Sequence, residues 1–231
     1  ATPIGNLEDI SYRAVRLLKE CDLILAEDTR TSGVLLSHYD IHTSVTSYHE
    51  HNKISKLPYI IEKLEAGKTL CLISDAGTPG ISDPGEELVK KCAESDIDVF
   101  SVPGAMAGIS AIVSSGISCR RFAFEAFLPK NKKRRQTVLN RLKDEDRAII
   151  IYEAPHHLKS TISQLLDVLG GERKICLARE LTKCFEEKLI MTLEEAVSYC
   201  DDHKPKGEYV VVIEEKTENN VEIDIEDIYS A

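Results

Sequence analysis

The stretch LISDAGTPGISDPG, from Leu72 to Gly85, decides the fold of this chain. The apolar run that leads into it, residues 68–73, is typical of a buried strand, and this strand stops abruptly in a turn that contains Asp75 and Gly77. Glycine at a strand end lets the backbone approach a small molecule closely, and Asp75 adds a carboxylate. Because open α/β sheets bind ligands at this edge, the stretch predicts a ligand-binding loop, although such a cluster is more often an ordinary turn.

The composition is that of a globular protein. The chain has 231 residues, of which 42% are hydrophobic and 29% charged, enough for one large domain or for two of about 110 residues. No apolar run approaches the ~20 residues of a membrane span, and no basic-then-apolar leader precedes the first motif. Seven scattered cysteines, with no CxxC pair and no histidine at metal-ligand spacing, predict reduced thiols and no metal site. These features favour the cytoplasm.

The net charge of −10 at first argues against a nucleic-acid partner. However, seven carboxylates and one lysine in residues 214–227 contribute −6 of it, so most of the excess is local. A basic run lies in the body of the chain and could contact phosphates, or it could be the solvated face of a helix. Its members are Lys130, Lys132, Lys133, Arg134, Arg135, Arg141 and Lys143.

Strands and helices alternate along the chain, which predicts an α/β fold with a largely parallel sheet. The pattern restarts after Gly116, so we predict an N-terminal α/β domain over 1–117, a C-terminal α/β domain over 118–215 and an acidic tail over 216–231. Among the predicted elements are a first helix capped by Asn6, a polar loop at residues 27–32, a strand at 99–102, and an edge strand or short helix around residues 221–225 in the tail.

Polar loops follow the predicted strands. In a parallel sheet such loops share one edge, so at least the first five should converge on one cleft. Each has a plainer explanation: Asp28 could cap a helix, His49 and His51 could lie on a solvated loop, and Arg179 could form a surface ion pair with Glu180. The loops are TPIGN (2–6), AEDTR (26–30), YHEHN (48–52), SDAGTP (74–79), PGAMA (103–107), YEAPHH (152–157) and ARELTK (178–183).

These motifs, in this order and together with RFAFEAFLP and KGEYVVVIE, resemble the ribosomal RNA small subunit methyltransferase I family of the tetrapyrrole methylase superfamily. The resemblance covers residues 1–215. It implies an S-adenosylmethionine-dependent enzyme that methylates the 2′-oxygen of a cytidine ribose in the decoding region of 16S rRNA, in the small ribosomal subunit. It also implies the two-domain class III methyltransferase fold, with five-stranded sheets in both halves, a cofactor in the cleft between them, and a homodimer.

The resemblance also assigns cofactor contacts. Met106 departs from the small residue that is common at its position, which weakens a hydroxyl contact there but leaves backbone groups to serve. The motif GxGxxG is absent, so the cofactor is not expected to bind as in an ordinary Rossmann methyltransferase. The assigned contacts are Pro3, Asp75, Ala76, Gly77, Thr78, Met106, Ala107, Tyr152, Ala154, Ala178 and Arg179, with Ile213 as a further candidate.

Methyl transfer to a ribose hydroxyl is an in-line displacement that depends on orientation and needs no metal. The hydroxyl is a weak acid, so a nearby base or positive charge should help. The catalytic set that we favour is Arg30, His49, Glu27 and Glu180. Asp28 and Glu50 are further possible bases, and Arg179 and Lys183 could contact phosphate or an oxyanion.

Two other functions stay open. A methylase acting on a precorrin-type tetrapyrrole would use the same cleft, but a polycarboxylated macrocycle favours a basic pocket, which the acidic AEDTR and HEHN loops do not offer. A non-enzymatic ribosome-binding protein could keep the fold without the chemistry. Binding of S-adenosylmethionine and methyl incorporation into small subunits would separate the three.

Overall fold

The computed structural model describes residues 1–216, so most of the acidic tail and the element expected around residues 221–225 lie outside the described residues. The chain divides into two compact units. Among the described residues, unit 1 comprises residues 1–110 together with 181–186, and unit 2 comprises residues 111–180 and 187–216. The expected division after residue 117 therefore differs from the observed one: it lies seven residues later, and it leaves a segment of unit 1 inside the second domain.

Unit 1 contains a parallel sheet with strand order β2-β1-β3. The short central strand is buried throughout, because it is covered on both faces. The resemblance implied five strands here. Residues 99–102 form no strand, and Val99 and Phe100 are exposed. The three strands are β1 (Leu23–Ala26), β2 (Val45–Ser47) and β3 (Leu70–Ile73).

Helices pack on both faces of this sheet, because successive side chains of β1 point to opposite faces and all of them are buried. Ile24 and Ala26 face a core built with α1 and α2, whereas Leu23 and Leu25 face a core built with α3 and α4. The last helix, α5, crosses the boundary between the units at residue 110. The helices are a 3-10 turn (Leu7–Asp9), α1 (Tyr12–Glu20), α2 (Thr29–His38), α3 (Lys53–Glu65), α4 (Glu86–Glu94) and α5 (Ala107–Ser114).

Helix caps explain where two of these elements depart from the sequence prediction. Asn6 caps only the 3-10 turn, through Glu8 N, and Ser11 caps α1 by accepting a hydrogen bond from Ala14 N at 3.1 Å. Asp28 is the cap of α2, so most of the expected polar loop at 27–32 is the first turn of a helix.

Unit 2 contains a five-stranded mixed sheet with strand order β4-β5-β8-β6-β7. Only β4 and β5 are parallel, and the other three pairings are antiparallel. Strand β7 has no counterpart in the sequence prediction. The strands are β4 (Phe122–Phe127), β5 (Ala148–Glu153), β6 (Lys174–Arg179), β7 (Glu187–Thr192) and β8 (Tyr209–Ile213).

Three helices cover one face of this sheet and form the largest apolar core with it. They are α6 (Lys132–Leu142), α7 (Pro155–Leu169) and α8 (Leu193–Asp202). Because β5 and β6 both run antiparallel to β8, and β4 runs parallel to β5, the carboxyl ends of β4, β5 and β6 lie at one edge. Within residues 1–216, no helix is both long and apolar enough to cross a membrane.

Candidate active site

The loops after all three strands of unit 1 meet at one edge of its sheet. The register pairs Ala26 with Ser47 and with Ile73, so the three strands end side by side. The AEDTR, YHEHN and SDAGTP segments follow directly. Convergence of these loops, expected from the sequence, is therefore observed in unit 1.

The N-terminal loop is tied to the signature loop by backbone pairing. Thr2 N donates to Gly77 O at 2.8 Å, and Gly77 N donates to Thr2 O at 3.1 Å. The buried hydroxyl of Ser74 also donates to Gly77 O, at 3.1 Å. Pro3, the first expected cofactor contact, is buried beside this bridge. These bonds fix the backbone at residues 74–77, so the loop is a preformed structure.

Gly77 is needed for its backbone conformation. Its φ is +82°, and a Cβ at this position would lie 3.3 Å from Ile4 Cγ2 and 3.4 Å from Ala105 O. A bulky residue would therefore strain the loop itself as well as fill any ligand space. The next side chain, Thr78, donates to Ala105 O at 3.0 Å, which brings the PGAMA segment to the same edge. Met106 and Ala107 follow at the start of α5, where Met106 O accepts from Ser110 N.

Carboxylates concentrate at this edge. Asp75 Oδ1 accepts from Asp28 N at 3.0 Å, which links the ends of β3 and β1. Burial, and next the charges of Asp83 and Asp75, raise the pKa of Glu27. Burial and the charge of Asp75 also raise the pKa of Asp83, against a hydrogen bond from Ser74. Glu27 and Asp83 therefore both combine partial burial with the raised pKa of a general base, and Glu27 is the one in the AEDTR segment.

Arg30 is held by its own helix cap. Its Nε and backbone N reach Asp28 Oδ1 at 3.1 and 2.8 Å, and its second guanidinium nitrogen reaches Oδ2 at 2.7 Å. These bonds lower the pKa of Asp28 to about 2. The plainer explanation of Asp28 as a helix cap is therefore confirmed, which removes it as a base. The Arg30 side chain is still 90% exposed and can reach an anion outside the protein.

His49 follows β2 in a well-defined hydrogen-bonded turn. Its backbone N donates to Asn52 Oδ1 at 2.8 Å, and its Nε2 lies 3.2 Å from Asn52 Nδ2. An amide nitrogen is a donor, so Nε2 is the acceptor and the neutral ring carries its proton on Nδ1. Nδ1 is buried and has no hydrogen-bond partner within residues 1–216. The other possible base of this loop, Glu50, is paired with Lys53 at 2.9 Å.

The edge of the unit 2 sheet carries the remaining expected cofactor contacts. The register aligns Tyr152 with Val210 and Val210 with Ala178, so these side chains form a row on the face opposite the helices. Arg179 projects to the other face, where it pairs with Glu187 at 3.1 Å and leaves its buried Nε without a partner within the described chain. Ala154 caps α7 with its carbonyl.

Three residues differ from the expected arrangement. Glu180 Oε1 accepts from Glu208 N at 2.8 Å in a turn beside Gly207, so this carboxylate holds the backbone and is poorly suited to be a base. Lys183 belongs to unit 1, where it lies against Gly5. Ile213 is buried at the opposite end of β8 and pairs with Ile149 and Ile175, away from the Tyr152 row.

Sequence reasoning missed Asp83 and Ser74 as parts of the site. The signal was present, because the Ser-Asp pair of residues 74–75 recurs at residues 82–83 within the same quoted stretch. Only the fold shows that the second aspartate returns to the carboxylates at the end of β1.

In unit 1 the exposed carboxylate of Asp75 belongs to the same preformed loop as Gly77 and Thr78, which suits a small cationic ligand that also carries polar groups. In unit 2 the Tyr152 ring and Arg179 both lie at the carboxyl ends of their strands. Among residues 1–216 no group of three or more histidine, cysteine, aspartate or glutamate side chains could hold a metal ion.

Relatives of known name match nearly the whole chain. It is 50% identical over 213 residues to the ribosomal RNA small subunit methyltransferase I of Synechocystis sp., covering 92% of this chain and 76% of that protein. It is 48% identical to the protein of the same name from Halalkalibacterium halodurans, covering 93% and 74%, and 47% identical to that of Haemophilus influenzae, covering 96% and 80%.

Solved structures show the same fold at low identity. A diphthine synthase matches with a TM-score of 0.73 and 14% identity, over 93% of this chain and 88% of that one. The cobalt precorrin-4 methyltransferase CbiF matches with a TM-score of 0.68 and 13% identity, over 93% and 92%. The sequence-family model of the tetrapyrrole (corrin/porphyrin) methylases matches residues 1–197 of this chain. The chain therefore belongs to the tetrapyrrole methylases and, within them, to the ribosomal RNA small subunit methyltransferase I family.

Proposed function

We propose that this enzyme transfers the methyl group of S-adenosylmethionine to the 2′-oxygen of a cytidine ribose in the decoding region of 16S rRNA. The observation that carries the proposal is the 43–50% identity of the chain to proteins named ribosomal RNA small subunit methyltransferase I. The convergence of the signature loop with the AEDTR and YHEHN loops on one edge of unit 1 supports it.

The side chains of unit 1 have complementary tasks in this reaction. The bound cofactor would supply an electrophilic methyl group on a sulfonium. Glu27, with its raised pKa, accepts the proton of the ribose hydroxyl, and the exposed Arg30 contacts a neighbouring phosphate. His49 follows β2 at the same sheet edge and contacts the nucleotide. Asp75, in the signature loop, accepts from Asp28 N and contributes negative charge toward the cationic cofactor.

The decisive experiment is transfer of labelled methyl from S-adenosylmethionine to small ribosomal subunits, to naked 16S rRNA and to a precorrin-type tetrapyrrole. We expect label in RNA, recovered as 2′-O-methylcytidine after digestion to nucleosides. Label on a base, or label in the tetrapyrrole only, would refute the proposed reaction. Binding of S-adenosylmethionine without any transfer would favour a non-enzymatic ribosome-binding protein.

The proposal includes a homodimer that acts in the cytoplasm, as the family resemblance implies. Sedimentation equilibrium measures the oligomeric state directly. A monomer at the concentrations that give full methyl transfer would remove the dimer from the proposal and leave the reaction standing.

A further inference from the structure

Phe127 is an exposed aromatic side chain at the edge of the unit 2 sheet. It is the last residue of β4, which is an edge strand, and its side chain is 57% exposed. The register pairs it with Tyr152, so it extends the row formed by Tyr152, Val210 and Ala178. Phe127 thus lies next to Tyr152, one of the expected cofactor contacts, and on the same face as a second, Ala178.

A bulge in β4 places Phe127 on that face. Phe124 pairs with Ile150 and Ala126 pairs with Ile151, so Glu125 is an extra residue in the strand. Without it, the alternation of the strand would direct Phe124 and Phe127 to opposite faces. With it, both rings contact Tyr152 edge-to-face, at centroid distances of 5.1 and 5.6 Å.

The bulge is strained. Ala126 has a φ of +50°, in the left-handed region that a residue with a Cβ rarely adopts. Strain of this kind concentrates at ligand sites, and bulges there re-aim a side chain. Here the strained backbone directs a large apolar ring into solvent, which folding alone does not favour. The ring contacts Tyr152, and its exposed part is available for stacking.

The residues that follow Phe127 indicate which kind of ligand could bind there. The chain continues from Phe127 into the start of α6, where Lys130, Lys132, Lys133 and Arg134 are exposed. Arg135 is excluded from this set because it is held inside unit 2, by Thr161 at 2.7 Å and Gln164 at 2.6 Å. An exposed aromatic ring followed by four cations is the combination that binds an unpaired base and its flanking phosphates.

We propose that Phe127 is a base-stacking platform on which an unpaired base of the RNA substrate lies, with the flanking phosphates at Lys130, Lys132, Lys133 and Arg134. This inference rests on the proposed function, because the ligand is the RNA that the enzyme methylates. The competing occupant of an exposed aromatic edge is a second copy of this chain, and the experiments separate the two.

The chain has no tryptophan, so the variant Phe127→Trp carries a single fluorescent reporter at the platform. We expect an oligocytidylate of about ten nucleotides to quench it, and an abasic ribose-phosphate chain of the same length to leave it bright. The control is Phe100→Trp, because Phe100 is also exposed but belongs to unit 1. Three results would contradict the stacking proposal. They are equal quenching of the two variants, quenching by the abasic chain, and no quenching by either oligocytidylate or 16S rRNA.

A second variant tests the platform during turnover. Phe127→Leu keeps an apolar side chain against Tyr152 but removes the flat ring, so we expect KM for the RNA substrate to rise about tenfold, with affinity for S-adenosylmethionine unchanged. Phe127→Tyr should restore KM. An unchanged KM in Phe127→Leu would overturn the inference and leave the proposed function intact, whereas wild-type enzyme that methylates no RNA would overturn the proposed function itself. Loss of dimer in Phe127→Leu, without a change in KM per dimer, would assign the ring to an interface.

Discussion

Glu27 shows how an environment that suits a general base can reduce stability at neutral pH. Burial and the charges of Asp83 and Asp75 raise its pKa above the ordinary value of 4.5. Folding therefore favours the protonated carboxyl. The resulting stabilisation is complete below the ordinary pKa and is lost as the pH rises through the raised pKa, where the buried group becomes charged. A base that costs stability at neutral pH is a typical feature of an active site.

We expect Glu27→Gln to raise the melting temperature at pH 8 and to leave it unchanged at pH 4, because glutamine stays neutral at both. The same variant should lower methyl transfer about tenfold or more, at least about 1.4 kcal/mol of barrier. Thermal unfolding followed across pH provides the first measurement, and single-turnover transfer provides the second.

Glu145 offers a matched control with the opposite sign. Arg147 holds the pKa of Glu145 at about 2, so Glu145→Gln should lower the melting temperature at both pH 8 and pH 4. If Glu27→Gln also destabilised the protein at pH 8, the electrostatic account of Glu27 would be wrong.

Among the secondary-structure elements, α6 combines two functions on one helix. Lys132, Lys133 and Arg134 are exposed, whereas Arg135 is half-buried, connects α6 to α7 and lies 3.9 Å from the carboxylate of Glu153. Glu153 in turn accepts from Thr161 and from Ala154 N. The basic run at residues 132–135 therefore contains both a solvent-exposed cluster and a cation that pairs with Glu153 inside unit 2.

Neutralising Lys132, Lys133 and Arg134 together to glutamine should weaken RNA binding and reduce its salt slope by about 3, one for each lost phosphate contact. Filter binding at several salt concentrations measures both quantities. Affinity for S-adenosylmethionine and the melting temperature should not change.

Arg135→Met is the matched comparison on the same helix. It leaves the buried Glu153 without its cation and should reduce the free energy of unfolding by about 3 kcal/mol, with little change in the salt slope measured on the folded fraction. A triple variant that retained wild-type affinity and salt slope would make the exposed cluster an ordinary solvated helix face.

Elements with strong local signals could be predicted from the sequence. Tyr209–Ile213 is a continuous apolar run and forms β8, and Pro155 and Gly170 mark the two ends of α7 in the sequence. Glu187–Thr192 was missed because a half-exposed edge strand carries charged residues and shows little periodicity. Residues 99–102 are mostly apolar but pair with no strand. A short apolar run indicates a strand only where a neighbouring strand is present to pair with it.

At the scale of the whole molecule, the division of the chain could not be predicted from local patterns. Residues 181–186 follow β6 and precede β7, yet they belong to unit 1. Asn6 N donates to Thr182 Oγ1 at 3.1 Å, between residues 176 positions apart in the sequence. Such a contact depends on the tertiary fold, and no periodicity or cap in either segment indicates it.

Gly5 provides a test of that return segment. A Cβ at this position would lie 2.7 Å from Thr182 Oγ1 and 2.9 Å from Leu181 O, so Gly5→Ala must displace backbone. We expect a loss of about 1–3 kcal/mol in the free energy of unfolding, with faster amide exchange in residues 181–186. Gly33→Ala is the control, because nothing lies within 4 Å of its Cβ and alanine favours α2 by about 0.5–1 kcal/mol. If Gly5→Ala unfolded like Gly33→Ala and left exchange in 181–186 unchanged, this segment would not be held against the N-terminal loop in solution, and Lys183 would lose its place beside the residues of unit 1.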